Sequence, residues 1–534
     1  MRHIIIAPGL LFLFRVIVNK QQDLPYQLSF MQILTAARIR EWDEYTIREL
    51  PIQSIDLMER ASAACFDWLM ENGFKQNAFT VFCGKGNNGG DGLAIARMLS
   101  QTGHAVTVYI LEFGAKGTAD FQTNLARIHQ TDAVIKFIST VDTLHPIDAN
   151  AIVIDALLGT GLNRPPDGLT SAVVQHINRS GNTVIAIDIP SGLFADKSSK
   201  DQTAIEATYT LSFQCYKTAF LVAENADRLG AIHILDIGLH PDYLSTITPE
   251  YQFIDESIVN AILQPRKKFA HKGNFGHAAL IAGSVGMMGA ALLSAKACLR
   301  SGAGKLTCFI PRIGYEIIQS RVPEAMCRIA GTDHIGAIDS FEGYSAIGAG
   351  PGLGREDEIQ RMLQSLFLQS NATLVLDADA LNVLSGNKAL MEELPRRTVI
   401  TPHVKELERL FGAVSGDFER MEMARERSKE LGITIVLKGA YSLVATPGGM
   451  AWFNSTGNPG MATGGSGDVL TGIITGLAAQ GYIPEQAAIA GVFLHGLAGD
   501  LAAAAISEQA LIASDITAFL GDAFLQLQES STGE

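Results

Sequence analysis

The chain has 534 residues, 47% of them hydrophobic and 18% charged, a balance that fits packed globular domains and excludes an intrinsically disordered chain. Its formal net charge of −14 argues against nucleic acid as a partner, because neutralising backbone phosphates needs clustered Lys and Arg. The length exceeds what one hydrophobic core serves, so about two to four domains are expected.

An apolar run at 4–18 is interrupted by Arg15 and contains Pro8-Gly9. It falls short of the roughly 20 residues of a membrane span, and no clear small-x-small cleavage pattern follows before Met31. Residues 1–30 therefore read as an extension upstream of a start at Met31, and no membrane partner is expected. From Met31, QILTAARIREWDEYTI reads as a first amphipathic helix. A strand at 77–83, a glycine turn and a helix over 91–103 follow, with further strands at 104–111, 151–154 and 183–187. Buried strands alternating with amphipathic helices predict a parallel sheet covered on both faces.

A second series begins near Lys272, with strands at 278–282, 305–310, 345–347, 373–376, 398–400 and 434–437. A hairpin ends it, its arms SLVAT and MAWFN flanking Pro447-Gly448-Gly449. The segment 251–268 holds a proline and two charged clusters, and reads as the linker between a domain at 31–250 and another at 269–534. The six cysteines, Cys65, Cys83, Cys215, Cys298, Cys308 and Cys327, form no CxxC pair, which suits core thiols in a reducing cytoplasm.

Within the first domain, GKGNNGGDG at 84–92 lies between a strand and a helix. Gly84, Gly86 and Gly89 satisfy GxGxxG, and Glu112 ends the next strand where a ribose-binding acid belongs. Taken alone, this is a weak sign of a nicotinamide oxidoreductase. Two further strand ends carry acids: Asp155 opens DALLGTGLNRP and Asp188 opens DIPSG. Ligands of open parallel sheets lie beyond the strands' carboxyl ends, so the three loops should converge on one crevice. That crevice would hold Asn87, Asn88, Asp91, Asp155, Asp188 and Ser191, an oxygen-rich set suited to a hard cation and to proton transfer.

GKGNNGGDG, DALLGTG and DIPSG, with LMERASAA at 57–64, resemble the epimerase domain of nicotinamide-hydrate repair enzymes, a Rossmann-like fold. The resemblance spans about 31–240. It implies that Asn87, Asn88, Gly89, Gly90 and Asp91, together with Gly159, Thr160, Gly161, Leu162, Asn163, Arg164 and Pro165, line the hydrate site. Asp188 would contact the hydrate and act as the catalytic acid/base. Asn88, Asp155 and Ser191 would hold a potassium ion.

In the second domain, GNPGMATGGSGD at 457–468 runs into a helix. Free amides at that helix start would stabilise charge on a transferring phosphoryl group, with Asp468 placed to take a proton from an attacking hydroxyl. Gly283 with Gly286 and Gly289, the run GAGPGLG at 348–354, Thr401-Pro402-His403 with Glu406, and Lys438 all fall at strand ends nearby in the pattern. Neither a Walker GxxxxGK[ST] nor protein-kinase motifs are present.

KGNFGHAALIAGS, SGAGK, IGAGPGLG, DADALNVL, TPH with Glu406, LKGA and GGSGD resemble the dehydratase domain of the same repair enzymes, which has a ribokinase-like fold, over about 266–525. The resemblance implies that Lys438, Gly439, Ala440, Tyr441, Ser442 and Gly467 contact the adenine nucleotide. It also implies that Ala290, Gly352, His403 and the catalytic Asp468 contact the hydrate. Val404-Lys405 stands where Pro-Gly often follows TPH.

The expected architecture is thus α/β throughout, a Rossmann-like parallel-sheet domain followed by a ribokinase-like domain. The implied function is epimerisation of R and S hydrates of NADH and NADPH by the first domain. The second would dehydrate the S hydrate with ADP or ATP and Mg2+, in a cytoplasmic homo-oligomer. The competing readings are a vitamin or sugar kinase with an appended Rossmann-like domain, an NAD-dependent oxidoreductase and a non-catalytic scaffold.

Overall fold

The computed structural model describes residues 32–114 and 116–532; the expected extension over 1–30 lies outside them. The chain divides after Pro249 into two compact units.

The first unit opens with helices α1 (Ala36–Glu49) and α2 (Ser54–Glu71). Its sheet comprises β1 (Phe79–Cys83), β2 (Val106–Leu111), β3 (Val134–Ile138), β4 (Ile152–Ala156), β5 (Val184–Ile187), β6 (Tyr209–Phe213) and β7 (Ala231–Leu235). The order is β3-β2-β1-β4-β5-β6-β7 with every pairing parallel. Crossovers include α3 (Asn87–Gln101), α4 (Ala119–Ile128) and α5 (Gly168–Asn178). The direction of winding reverses between β1 and β4, which opens a crevice at their carboxyl ends.

β1, β4 and β5 are buried at every position. Val81 and Cys83 join the core on one face of the sheet and Phe82 the core on the other, which is why these strands read as continuous apolar runs. Two element starts differ from expectation. Thr35 accepts a bond from the Arg38 amide at 3.4 Å, so α1 begins at Ala36 rather than at Gln32. The run Asn87 to Asp91 is not a turn before a helix but the first turn of α3. β3, at the sheet edge and mostly exposed, and β6 and β7 lacked a clear apolar signal.

The second unit contains β8 (Tyr251–Ile254), β9 (His277–Ile281), α6 (Met288–Arg300), β10 (Lys305–Ile310), β11 (Met326–Ile329), β12 (Ala346–Ala349), β13 (Thr373–Leu376) and β14 (Thr398–Ile400). After α7 (Val404–Phe411) come β15 (Thr434–Leu437), β16 (Leu443–Ala445), β17 (Ala451–Asn454), α8 (Ser466–Ala479) and α9 (Pro484–Ile506). The strands run β8-β17-β16-β15-β14-β13-β12-β9-β10-β11. Pairings from β15 through β11 are parallel, and β16 and β17 form the antiparallel hairpin. Within the segment read as a linker, Tyr251–Ile254 forms β8 and pairs parallel with β17.

α9 is, by length and composition, able to cross a membrane. Its Val492, Phe493, Leu494 and Ala498 pack into the core of the second unit, which accounts for its apolar character.

α8 is buried from Val469 to Ala479 and packs closely on α6. A methyl group on Gly472 would sit 2.3 Å from the Ser294 carbonyl oxygen, and one on Gly476 would sit 2.1 Å from Ser301 Oγ. Gly472→Ala is therefore expected to destabilise the second unit by about 1–3 kcal/mol through overpacking, measured as a lowered Tm. Because Ser294 Oγ also donates to the Asp468 carbonyl at 2.9 Å, the same substitution displaces the start of α8 and with it the Asp468 carboxylate.

Candidate functional site

In the first unit a cleft of about 630 Å³ opens at the carboxyl ends of β1, β4 and β5. Asn87, Asn88, Asp91, the loop Gly159 to Arg164 and Asp188 all line it. Gly89 and Gly90 are buried and Pro165 is exposed; none of the three is among the lining residues. Asp155 and Ser191 are fully buried beneath the loops. Glu112 is the ion-pair partner of Lys85 and accepts from the Gly114 amide at 2.8 Å, a role unlike that of a ribose ligand.

Asp188 follows β5 in the left-handed region, φ 70°, which few non-glycine residues tolerate without compensation. Its amide donates to the Leu211 carbonyl at 2.8 Å. One carboxylate oxygen accepts from the Thr160 amide at 3.0 Å; the other lies 3.0 Å from Lys217 Nζ. Lys217 is fully buried and also donates to Ser212 Oγ. Asp188 is thus tied to the β4 loop and to the segment after β6.

Asp155 Oδ1 accepts from Ser191 Oγ at 2.6 Å and Oδ2 from the Ser191 amide at 2.8 Å. Burial pushes its carboxyl up to about 6, against these hydrogen bonds, which lower it. The Asn88 side chain is buried with neither Oδ1 nor Nδ2 hydrogen-bonded. A buried amide oxygen lacking a donor, with a buried carboxylate on the neighbouring strand, is the kind of oxygen set a monovalent cation satisfies. The residues present fit potassium in this sense.

Two residues at this site were not visible in the motifs. Asp43 reaches the cleft from α1, on the face that also carries Ala36, Ile39 and Arg40. Lys217 lies just past β6, a strand whose pattern gave no signal. An acid at helical spacing from other inward residues was the only hint for Asp43.

In the second unit Gly465, at φ 93°, is the residue before α8, and the following amides belong to a first turn that lacks i−4 carbonyl partners. Asp468 sits in that turn. Its carboxyl is pushed up to about 6, by burial first and then by the charge of Asp377, while Lys438 opposes the shift. Lys438 Nζ lies 2.8 Å from Asp377 Oδ1 and 3.9 Å from Glu406 Oε2. Asp377 Oδ2 accepts from Thr471 Oγ1 of α8 at 2.8 Å. A methyl group on Gly467 would fall 3.4 Å from Lys438 Nζ, so Lys438, Gly467 and Asp468 lie together at the start of α8.

Ala290 and Gly352 also meet: a methyl on Gly352 would come 3.3 Å from Ala290 Cβ. His403 is exposed and caps α7, its Nδ1 accepting from the Lys405 and Glu406 amides at 3.1 and 3.3 Å. Glu406 returns the cap by accepting from the His403 amide at 2.9 Å. Gly439, Ala440, Tyr441 and Ser442 form the turn between β15 and β16, where the Gly439 amide donates to Ser442 Oγ at 3.3 Å.

Asp377, Thr471 and His495 are the additional residues. Asp377 is the first acid of DADALNVL, which marks a strand end. His495 on α9 is held neutral, its imidazole pushed down to about 4 by burial, and lies 3.0 Å from the Ser466 carbonyl, bracing the loop. Among the described residues no group of three or more His, Cys, Asp or Glu could by itself hold a metal ion.

A Rossmann-like unit with a carboxylate-lined cleft, followed by a ribokinase-like unit with an acid and a lysine at a glycine-rich helix start, defines a bifunctional α/β enzyme. Residues 278–519 match the family described as NAD(P)H-hydrate dehydratase, and residues 54–219 match YjeF-related protein N-terminus. The bifunctional NAD(P)H-hydrate repair enzyme of Moorella thermoacetica is 34% identical over 517 residues, 93% of this chain and 98% of that protein. That of Leishmania braziliensis is 35% identical, with 90% of each chain covered. Among solved structures, the ADP/ATP-dependent NAD(P)H-hydrate dehydratase from Bacillus subtilis, co-crystallised with ATP and Mg2+, is 32% identical. It covers 52% of this chain and 98% of that one, with a TM-score of 0.46. The chain belongs to the family of bifunctional NAD(P)H-hydrate repair enzymes.

Proposed function

We propose that the first unit interconverts the R and S hydrates of NADH and NADPH, and that the second returns the S hydrate to the reduced cofactor using ADP or ATP. The observation that carries the reading is Asp468 in the first turn of α8, beside Lys438 and Gly467. A hydrated nicotinamide has water added across a ring double bond, and its hydroxyl leaves poorly. Asp468 takes the proton of that hydroxyl as its oxygen accepts the terminal phosphoryl group. The amides from Gly465 to Gly467 face the phosphoryl charge. Phosphate then departs with the carbon–oxygen electron pair, a proton leaves the adjacent carbon, and the ring double bond is restored.

Lys438 meets the nucleotide phosphates and is aimed by Asp377 and Glu406. Gly439, Ala440, Tyr441 and Ser442 receive the remainder of the nucleotide, while Ala290, Gly352 and His403 contact the hydrate. Mg2+, bound with the nucleotide, supplies further neutralisation of phosphate charge. In the first unit Asp188, with Asn87, Asn88, Asp91 and the loop from Gly159, holds the hydrate. Asn88, Asp155 and Ser191 would hold the potassium ion, whose charge suits the buried carboxylate. A cytoplasmic homo-oligomer completes the proposal; the six cysteines form no disulfide, in keeping with a reducing compartment.

The test is recovery of reduced-nicotinamide absorbance from purified hydrated NADH, with ADP and ATP supplied separately in the presence of Mg2+. Nucleotide-dependent recovery of both epimers is expected, and it identifies the phosphoryl donor. Recovery of one epimer only would remove the epimerase assignment. No recovery with either nucleotide would shift the second unit to a small-molecule kinase.

A further inference from the structure

The acid/base chemistry of the first unit has a second candidate, and its geometry differs from that of Asp188. Both Asp188 oxygens already receive donors, from the Thr160 amide and from Lys217, and its backbone is held at φ 70°. It is a fixed group. Asp43 lines the same cleft, and its carboxylate makes no hydrogen bond or ion pair with a described residue.

α1 is anchored with its Asp43 face toward the cleft. The Ala36 amide donates to Asp196 Oδ2 at 2.8 Å. Trp42, next to Asp43, is fully buried, donates from Nε1 to the His240 carbonyl at 2.7 Å and stacks on Tyr243 with centroids 5.8 Å apart. Residues 36, 39, 40 and 43 repeat at helical spacing and share the face turned to the cleft.

We infer that Asp43 is the carboxylate that takes and returns the substrate's hydroxyl proton during epimerisation, with Asp188 as the fixed group that holds the hydrate. The inference rests on the epimerase reading of this unit. The hydrate's hydroxyl sits on the ring carbon next to nitrogen, so the centre is a carbinolamine. When Asp43 accepts the hydroxyl proton, the carbon–nitrogen bond opens to an aldehyde. Its electron pair goes to the ring nitrogen and into the conjugated carboxamide. After rotation, the nitrogen closes on the opposite face of the aldehyde, and Asp43 returns the proton to the new alkoxide. Nothing is consumed, and no external reductant or oxidant is needed.

Burial and the charge of Asp188 push the Asp43 carboxyl up to about 7, with Glu44 adding to the rise and Lys217 and Arg40 opposing it. Asp91 is the other acid coupled to it. A carboxyl poised near neutrality both accepts and returns a proton readily.

The experiment follows interconversion of separated R and S hydrates by chromatography on the full-length protein, without nucleotide, for wild type, Asp43→Asn and Asp43→Glu. Asp43→Asn should slow interconversion by about 100-fold or more, while dehydration of the S hydrate with nucleotide stays at the wild-type rate and the melting transition of the first unit, which reports its fold, is unchanged. Asp43→Glu should restore part of the rate. The wild-type rate should change through about pH 7, and the Asn variant's residual rate should lack that inflection. Interconversion by Asp43→Asn within about threefold of wild type, or a slowed variant that keeps the inflection, overturns the inference, since general-base removal is expected to cost far more. Wild-type protein that interconverts nothing overturns the epimerase reading itself, and the inference with it.

Discussion

Asp468→Asn is expected to lower the dehydratase kcat by about 10³-fold, within the range for loss of a positioned general base, while leaving the protein folded. The carboxylate is destabilised where it stands: burial and Asp377 raise its pKa to about 6. Replacing it with a neutral amide therefore removes an unfavourable charge at neutral pH rather than a stabilising one, and Tm should hold or rise slightly. The backbone role survives too, since Ser294 bonds the residue's carbonyl and not its side chain. As a general base, Asp468 would act in its deprotonated form. With the free-enzyme carboxyl near 6, kcat/KM should be full above that value and fall as pH drops through it. Steady-state recovery of reduced-nicotinamide absorbance across pH 5–8 reads both effects. Near-wild-type turnover by the Asn variant would remove Asp468 from the chemistry.

Asp188→Asn should abolish use of the R hydrate while leaving turnover of the S hydrate unchanged, because the two activities reside in different units. Asn tolerates the left-handed backbone at φ 70° better than most residues, so the conformation is retained and the charge alone is lost. That loss has a structural consequence. Lys217, fully buried, would lose the carboxylate 3.0 Å away, and breaking one half of a buried pair costs about 3–5 kcal/mol. The first unit should melt earlier in the single variant, and Asp188→Asn with Lys217→Met should regain part of the stability but none of the epimerase activity. Equal loss of both activities in the single variant would contradict the division of labour. An unchanged melting temperature would mean that the pair contributes little to stability.

The α/β class was readable from the chain, as were the glycine-rich loops at the carboxyl ends of its strands. Parallel strands buried on both faces must be continuous apolar runs, as β1, β4 and β5 are, and four of the strands expected in the second unit match at both ends. Glycine-rich runs after such strands mark the carboxyl-end loops where ligands of open sheets lie. GGSGD preceding an apolar helix pointed to Asp468 in the same way.

Tertiary structure decided which charges meet. Lys438 pairs with Asp377, 61 residues away, and His495 braces Ser466 from 29 residues further along the chain; neither spacing has a local signature. Lys217 meets Asp188 only because β6 lies beside β5, and β6 carries too little apolar contrast to be recognised as a strand. Asp43 reads locally as one acid among several on a surface helix, and becomes a cleft residue only once Trp42 and the Ala36–Asp196 contact set the helix's rotation. Periodicity reports which face of an element is buried, because that is a local property of the chain. Which ionisable groups face one another depends on the packing of distant elements, and only the fold determines it.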